Sequence, residues 1–130
     1  VLAMKDGKSL VDQGENKYHA LFPQGNAKFV SSSSLGPALV ALGAKVKLVS
    51  ATGSREVDAA KFFVAPQSND AREIVLQPNE ILTEVLIPGA GKNATYEVRH
   101  KDALDWPLAT ASVNLKMKGA NVESASMVLG

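Results

Sequence analysis

The chain changes from helical to alternating hydrophobic spacing after Gly43. Upstream of this point, Leu35 and Leu39 recur close to the helical period. Ser33 or Ser34 offers a side-chain oxygen to the first free amides of a helix, and glycine is a common residue just past a helix end. The segment therefore predicts one short helix that begins near the serines and stops at Gly43.

Alternating positions predict strands along most of the remaining chain. A second short helix, over residues 59–63, is predicted to begin at Asp58 as its cap and to set Phe62 and Phe63 against a sheet. The last two strands form a hairpin through the turn at Gly119. The predicted strands are residues 27–30, 45–50, 55–57, 73–76, 81–87, 95–101, 109–118 and 122–129.

Short helices among many strands indicate an α+β fold. Residues 1–26 are polar and rich in glycine, so we expect an irregular arm there. The segment from Pro88 to Lys92 contains two glycines and a proline, which is typical of a boundary. We therefore expect one unit over residues 1–88 and the start of another over residues 89–130.

Composition excludes several classes of protein. The net charge is +1 and the lysines and arginines are scattered, which argues against a nucleic-acid partner. The sequence has no cysteine, so it cannot form a disulfide or bind an iron–sulfur cluster through thiolates. No apolar run reaches the roughly 20 residues of a membrane-spanning helix. The chain begins without Met, and we expect it to be part of a longer protein.

The residues on their own do not predict a reaction. Glu80 and Glu84 share a face of a strand, where we expect solvated charges rather than an acid–base pair. Trp106 is interpreted as a core anchor rather than a ligand-stacking residue. No glycine-rich phosphate loop and no metal-ligand spacing occurs. The possible sites are the N-terminus of the first helix and the boundary near Pro88.

Five segments, taken in order, resemble a known family. They are Gly14–Ala20, Ser34–Ala44, Glu80–Pro88 (EILTEVLIP), Tyr96–Arg99 and Asp105–Ala109. Together they are similar to the FAD-binding medium subunit of the molybdenum hydroxylases, which is the carbon monoxide dehydrogenase and xanthine dehydrogenase family.

This resemblance implies a fold and a cofactor. Residues 1–88 would be the second subdomain of the FAD-binding domain, a small mixed or antiparallel sheet with short helices. Residues 89–130 would be the first strands of the C-terminal α+β domain. In this family the pyrophosphate-binding loop lies in a first subdomain, which this sequence lacks. FAD is therefore expected in the full-length subunit.

The resemblance also implies a function, an oxidoreductase subunit that transfers electrons through FAD. Its partners would be a large subunit with the molybdenum cofactor and a small iron–sulfur subunit, in the cytoplasm. Three residues match family contact regions: Ser34, where many relatives have an acid that binds FAD, Leu82, which packs near the flavin ring, and Glu97, where xanthine dehydrogenases have a lysine. Arg99 or Lys101 could offset the charge of Glu97. The resemblance places no catalytic residue and no metal ligand in this chain.

Two other classes of function stay open at this stage. The departures at Ser34 and Glu97 would suit a non-enzymatic interaction module that kept the fold without flavin. Asn93-Ala94-Thr95 matches a glycosylation acceptor, which would suit a secreted glycoprotein domain.

Overall fold

The computed structural model describes residues 4–6, 8–14, 16–20, 28, 31, 33–68, 71–89, 91–101 and 105–130. The predicted strand at 27–30 falls outside them, apart from Lys28. In chain order the elements are β1 (Met4–Lys5), β2 (Lys8–Ser9), α1 (Gly36–Ala41), β3 (Lys45–Ser50), β4 (Gly53–Asp58), α2 (Ala59–Phe62), β5 (Ile81–Leu86), β6 (Lys92–Arg99), β7 (Pro107–Lys118) and β8 (Asn121–Leu129).

The strands form antiparallel sheets. β1 and β2 pair with each other inside the predicted irregular arm. Three strands form a sheet in the order β4-β3-β5, and three more form a sheet in the order β6-β7-β8. The predicted α+β class is confirmed. In the part of the chain that the structure describes, no helix is long and apolar enough to cross a bilayer.

The start of α1 differs slightly from its prediction. The helix begins at Gly36, and the Ser33 hydroxyl oxygen accepts a hydrogen bond from the Gly36 N–H at 3.0 Å. Ser33 therefore satisfies one free amide at the helix start, but the expectation that Ser33 or Ser34 is the N-cap is wrong, because Leu35 occupies that position and its side chain makes no capping bond. Pro37 lies in the first turn, and Gly43 has a φ of +67°, the left-handed conformation that commonly ends a helix.

The sheet β4-β3-β5, called the first sheet below, has its core beneath α2. Val46 and Leu48 of β3 are buried together with Phe62, and Phe63 packs at the edge of this cluster with its ring at 84° to that of Phe62. The predicted position of both phenylalanines against the sheet is confirmed. Asp58 occupies the N-cap position as predicted, but its side chain makes no capping hydrogen bond. Its carboxylate lies 3.4 Å from the Lys61 ammonium instead.

The expectation that Glu80 and Glu84 are solvated charges is confirmed for Glu84, which is 49% exposed, and is wrong for Glu80. Glu84 binds the Lys47 ammonium at 2.6 Å across the β3–β5 pair. Glu80 binds Arg55 through both of its oxygens, at 2.6 and 2.9 Å, and its side chain is only 10% exposed. Register explains the first contact, because Lys47 and Glu84 are directly opposite each other in the β3–β5 pair. Arg55 lies in β4, on the other side of β3, and reaches Glu80 just before β5.

The Arg55–Glu80 pair fixes the loop that precedes β5. Arg55 also donates to the carbonyl oxygen of Val75 at 3.0 Å, and Glu80 accepts from the N–H of Gln77 at 2.9 Å. The hydrogen bonds that Glu80 accepts from Arg55 and, with a smaller effect, from the Gln77 N–H lower its pKa from 4.5 to about 2. A bidentate pair that also binds two backbone groups holds the chain direction before β5.

The sheet β6-β7-β8, called the second sheet below, buries its polar face. Thr110, Ser112 and Asn114 of β7 are buried, and the Ser112 hydroxyl shares a hydrogen bond of 2.9 Å with that of Thr95 in β6. Alternate residues of β7 point the other way and are half-exposed. The alternating pattern therefore predicts these strands correctly. Hydrophobicity alone would bury the apolar face of β7, but in the structure that face is the more exposed one.

α1 lies against β7 and β8. Gly130, which pairs with Thr110 through two backbone hydrogen bonds, lies against the Pro37 ring, and a Cβ at Gly130 would approach Pro37 Cγ to 2.6 Å. Because Gly130 and Thr110 occupy the same face, α1 covers the polar face of this sheet. The opposite face carries exposed apolar side chains, among them Tyr96, Val98, Met127 and Leu129.

No strand pairing joins the sheets β4-β3-β5 and β6-β7-β8 in the ranges that the structure describes. Their connection runs through Pro88, and α1 contacts strands on the far side of that point. The division into residues 1–88 and 89–130 stays a prediction.

The pH dependence of stability should report on Glu80. Because its pKa is lower in the folded chain, its contribution is fully present above pH 4.5 and is lost as the pH falls toward 2. We expect the difference in urea midpoint between the native chain and Glu80→Gln to shrink over this range. Glu84→Gln removes an exposed carboxylate four residues further along the chain and is the matched control. The same difference at both ends of the range would contradict this assignment.

A second prediction concerns the close approach of β6 to β7. A Cβ at Gly91 would collide with the backbone carbonyl of Leu115, whereas one at Gly89 would meet no atom within 4 Å. We expect Gly91→Ala to lower the free energy of unfolding by about 1–3 kcal/mol, as overpacking does. Gly89→Ala is the control and should leave the urea midpoint almost unchanged. Equal midpoints for the two variants would refute the contact.

Candidate functional site

An open pocket of about 750 Å³ lies between the start of α1 and strand β6. One wall comes from the helix and the residues just before it, and the other comes from β6 and the residues after it. Its lining residues are Ser34, Leu35, Ala38, Thr95, Tyr96, Glu97, Val98, Arg99 and Lys101. Two of the three residues predicted to contact FAD, Ser34 and Glu97, are therefore brought together, although they are far apart in sequence.

The Glu97 carboxylate is held by its neighbours. One oxygen, Oε2, accepts a hydrogen bond from Nη2 of Arg99, and the side chain is only 15% exposed. The Ser34 hydroxyl and then the Arg99 guanidinium favour the charged carboxylate, so the pKa of Glu97 is lowered from its ordinary value of 4.5. Glu97 is thus charged at neutral pH.

The other oxygen of Glu97 has an incomplete environment. Oε1 is buried and has no hydrogen bond of good geometry in the described chain, even though the Ser34 hydroxyl is close enough to lower the pKa of the carboxyl group. A buried carboxylate oxygen without a well-formed bond is costly. A small rotation of Ser34, or a donor on a ligand, would satisfy it.

Two cations border the same pocket. Within the described residues, the Arg99 guanidinium has Glu97 as its acceptor, and guanidinium groups carry five N–H donors, so several remain available. The Lys101 ammonium forms no ion pair with a described residue. The Lys101 backbone N–H donates to Asp105 Oδ2 at 3.1 Å, and the Trp106 N–H donates to Asp105 Oδ1 at 3.1 Å, which fixes the backbone beside the pocket.

Beyond Ser34, the helix wall of the pocket is apolar. Leu35 and Ala38 form it, whereas the Val98 side chain lies on the opposite face of the sheet. An open pocket with one apolar wall and charged and hydroxyl groups on the other is suited to a flat ligand that has a polar edge. Because the pocket offers donors, a carboxylate and apolar surface, its residues fit a flavin ring. It presents no nucleophile–base pair, so it can bind and orient a ligand.

The other residues singled out in the sequence lie elsewhere. Leu82 is in β5, is 37% exposed and does not line this pocket, so its flavin contact stays a prediction. The interpretation of Trp106 as a core anchor is wrong, because the residue is 74% exposed.

Sequence reasoning understated Arg99 and Lys101, which it raised only as a means to offset Glu97. A signal was present, since residues 97, 99 and 101 are charged and alternate residues of a strand share a face. It did not show that α1 would lie opposite this face, because that arrangement depends on contacts between distant parts of the chain.

The pKa of Glu97 tests the contact across the pocket. Since the Ser34 hydroxyl is the main cause of the lowered pKa, Ser34→Ala should raise the pKa of Glu97 toward its ordinary value. Carboxyl-carbon NMR during a pH titration measures this shift. Ser33→Ala is the matched control, because that hydroxyl binds the Gly36 amide. If the two variants titrate alike, Ser34 does not contact Glu97.

Comparison with known proteins gives the family. Residues 25–90 match the model of the FAD-binding domain in molybdopterin dehydrogenase, which is half of the chain and includes α1, the first sheet and Ser34. The glyceraldehyde dehydrogenase medium chain of Sulfolobus acidocaldarius is 31% identical over 100 residues, covering 76% of this chain and 34% of the relative.

Solved structures show the same fold. The reconstituted CO dehydrogenase from Oligotropha carboxidovorans matches with a TM-score of 0.60 and 27% identity, over 75% of this chain and 33% of that chain. Quinoline 2-oxidoreductase from Pseudomonas putida 86 matches with a TM-score of 0.59 and 25% identity, over 76% and 33%. The chain spans about a third of the length of the relatives it matches.

These matches confirm the predicted family and fold, and they favour a flavoprotein over the interaction module. The chain belongs to the FAD-binding domain family of the molybdopterin dehydrogenases, the medium subunits of the molybdenum hydroxylases, and FAD is the cofactor of that family.

Proposed function

We propose that this chain forms one wall of the flavin site in an electron-transferring subunit of a molybdenum hydroxylase. The observation that supports this most directly is the pocket that joins Ser34 of the helix wall to Glu97 of the strand wall. Ser34 and Glu97 come from separate segments of the sequence, and both border this cavity.

The size and chemistry of the pocket support the same proposal. Its volume of about 750 Å³ is within the range of small-molecule sites, which is roughly 300–1,000 Å³. A flavin ring needs apolar contact for its faces and hydrogen-bonding groups for its pyrimidine edge. Leu35 and Ala38 supply the first, and Ser34, Glu97 and Arg99 supply the second.

The roles of the residues follow from this placement. The bound flavin would supply the electron transfer, while the protein supplies position and electrostatics. Ser34 donates or accepts a hydrogen bond at the mouth of the pocket, and Glu97 holds the groups around it. Leu82 would contact the flavin from β5. No residue of the pocket takes part in proton transfer in this proposal.

The wider assembly is part of the same proposal. The division into a second FAD subdomain at 1–88 and the start of a C-terminal domain at 89–130 follows the change of sheet after Pro88. An iron–sulfur partner subunit would relay the electrons, as the family resemblance implies. Substrate oxidation would belong to a molybdenum-cofactor partner, and the complex would act in the cytoplasm.

Filling the pocket tests this function. The subunit that contains this chain is titrated with FAD, and binding is followed by flavin fluorescence. We expect the native subunit to bind FAD and Ala38→Trp to bind at least tenfold more weakly, a loss of about 1.4 kcal/mol or more. Ala60→Trp adds the same ring at an exposed position of α2 that does not line the pocket, and it should bind FAD normally.

Circular dichroism of each variant separates a filled pocket from a misfolded chain. A native subunit that binds no FAD would refute the flavoprotein assignment. Normal FAD binding by a folded Ala38→Trp variant would show that the flavin does not occupy this pocket.

A further inference from the structure

We propose that Gly130 and Pro37 are positioning residues that set the distance between the two walls of the flavin pocket. The inference rests on the proposed function and goes beyond it, because neither residue borders the pocket. Both act through α1, which carries one of the walls.

The two walls belong to different elements. Ser34, Leu35 and Ala38 lie in α1 or just before it, whereas the other wall comes from β6 and the residues after it. β6 is hydrogen-bonded to β7, and α1 packs against β7 and β8. Because no strand pairing links the walls in the described part of the chain, the position of α1 on β7 and β8 sets the distance between them.

α1 approaches the second sheet closely at Gly130. Backbone hydrogen bonds of 2.7 and 2.9 Å tie Gly130 to Thr110, so the sheet fixes its position. A Cβ at Gly130 would approach Cγ of Pro37 to 2.6 Å. The proline ring cannot rotate out of the way as a flexible side chain would, so a side chain at Gly130 would displace α1.

The other side of the helix start is close-packed as well. Gly36 is buried, and a Cβ there would lie 3.3 Å from the Phe63 ring. Phe63 packs at the edge of the core of the first sheet. Two successive residues, Gly36 and Pro37, therefore hold α1 between Phe63 on one side and Gly130 on the other. A change at Gly130 should alter the pocket, because closely packed elements transmit displacement.

The first test measures FAD binding by the subunit that contains this chain. We expect Gly130→Ala to weaken binding about tenfold, since a displaced wall no longer fits the ligand. Pro37→Ala removes Cγ and retains Cβ, which would lie 3.8 Å from the Cβ at position 130, an ordinary van der Waals contact. The double variant Gly130→Ala/Pro37→Ala should therefore bind FAD as the native subunit does.

Gly91→Ala is the matched control. It also adds a Cβ that collides with the second sheet, but the collision is with the backbone of Leu115 in β7, and Gly91 does not border the pocket. Neither Gly91 nor Gly130 has a positive φ, so alanine tests the steric contact at both. Gly91→Ala should lower the urea midpoint and bind FAD normally.

A second measurement needs no flavin. The Ser34 hydroxyl lowers the pKa of Glu97 across the pocket. Displacement of α1 would carry Ser34 away, so Gly130→Ala should raise the pKa of Glu97 toward 4.5, while Arg99 maintains part of the lowering. Carboxyl-carbon NMR measures this pKa, and the double variant should restore the native value.

Recovery in the double variant decides the inference. It is overturned if the double variant restores neither FAD binding nor the pKa of Glu97, or if Gly91→Ala loses as much FAD binding as Gly130→Ala. If Gly130→Ala does not fold, recovery of folding and binding in the double variant supports the contact, and an unfolded double variant contradicts it.

The two measurements also separate this inference from the proposed function. If the native subunit binds FAD and every variant binds it equally well, the inference fails while the proposed function stands. If the native subunit binds no FAD, the proposed function fails, and the pKa of Glu97 alone decides whether Gly130 and Pro37 set the distance between the walls.

Discussion

The packing of α1 against the polar face of β7 and β8 is the contact on which the rest of the structure depends. Thr110, Ser112 and Asn114 are buried on this face, and their short side chains let a small helix approach the sheet closely. The hydroxyl of Ser112 is satisfied by Thr95 in the neighbouring strand. This packing places the start of the helix opposite β6, and the pocket lies between them.

The cost of this arrangement is visible at single atoms. Asn114 Oδ1 and Glu97 Oε1 are buried without hydrogen bonds in the described part of the chain, and buried polar groups usually have partners. Both lie in strands of the sheet that α1 covers. At Glu97 the incomplete bonding occurs in the wall of the pocket. The first sheet shows the opposite: Glu80 is fully engaged by Arg55 and by the Gln77 amide.

Family membership and pocket chemistry agree, but they rest on different parts of the chain. The family match covers residues 25–90, which include the helix wall of the pocket. The strand wall, with Glu97, Arg99 and Lys101, lies beyond that match. A comparison limited to the matched residues would therefore miss the charged half of the pocket, which the folded chain places opposite Ser34.

The sequence by itself determined the local elements and the family. Leucine spacing and Gly43 predicted α1, alternation predicted the strands of both larger sheets, and ordered segments indicated the flavoprotein family. Local patterns suffice here because helix and strand periods act within a few residues. The sequence did not determine which face of β7 is buried, the ion pairs of Glu80 and Glu84, or the exposure of Trp106. Only the tertiary structure decided these, because each depends on strand register or on the position of α1, and such contacts join residues far apart in the chain.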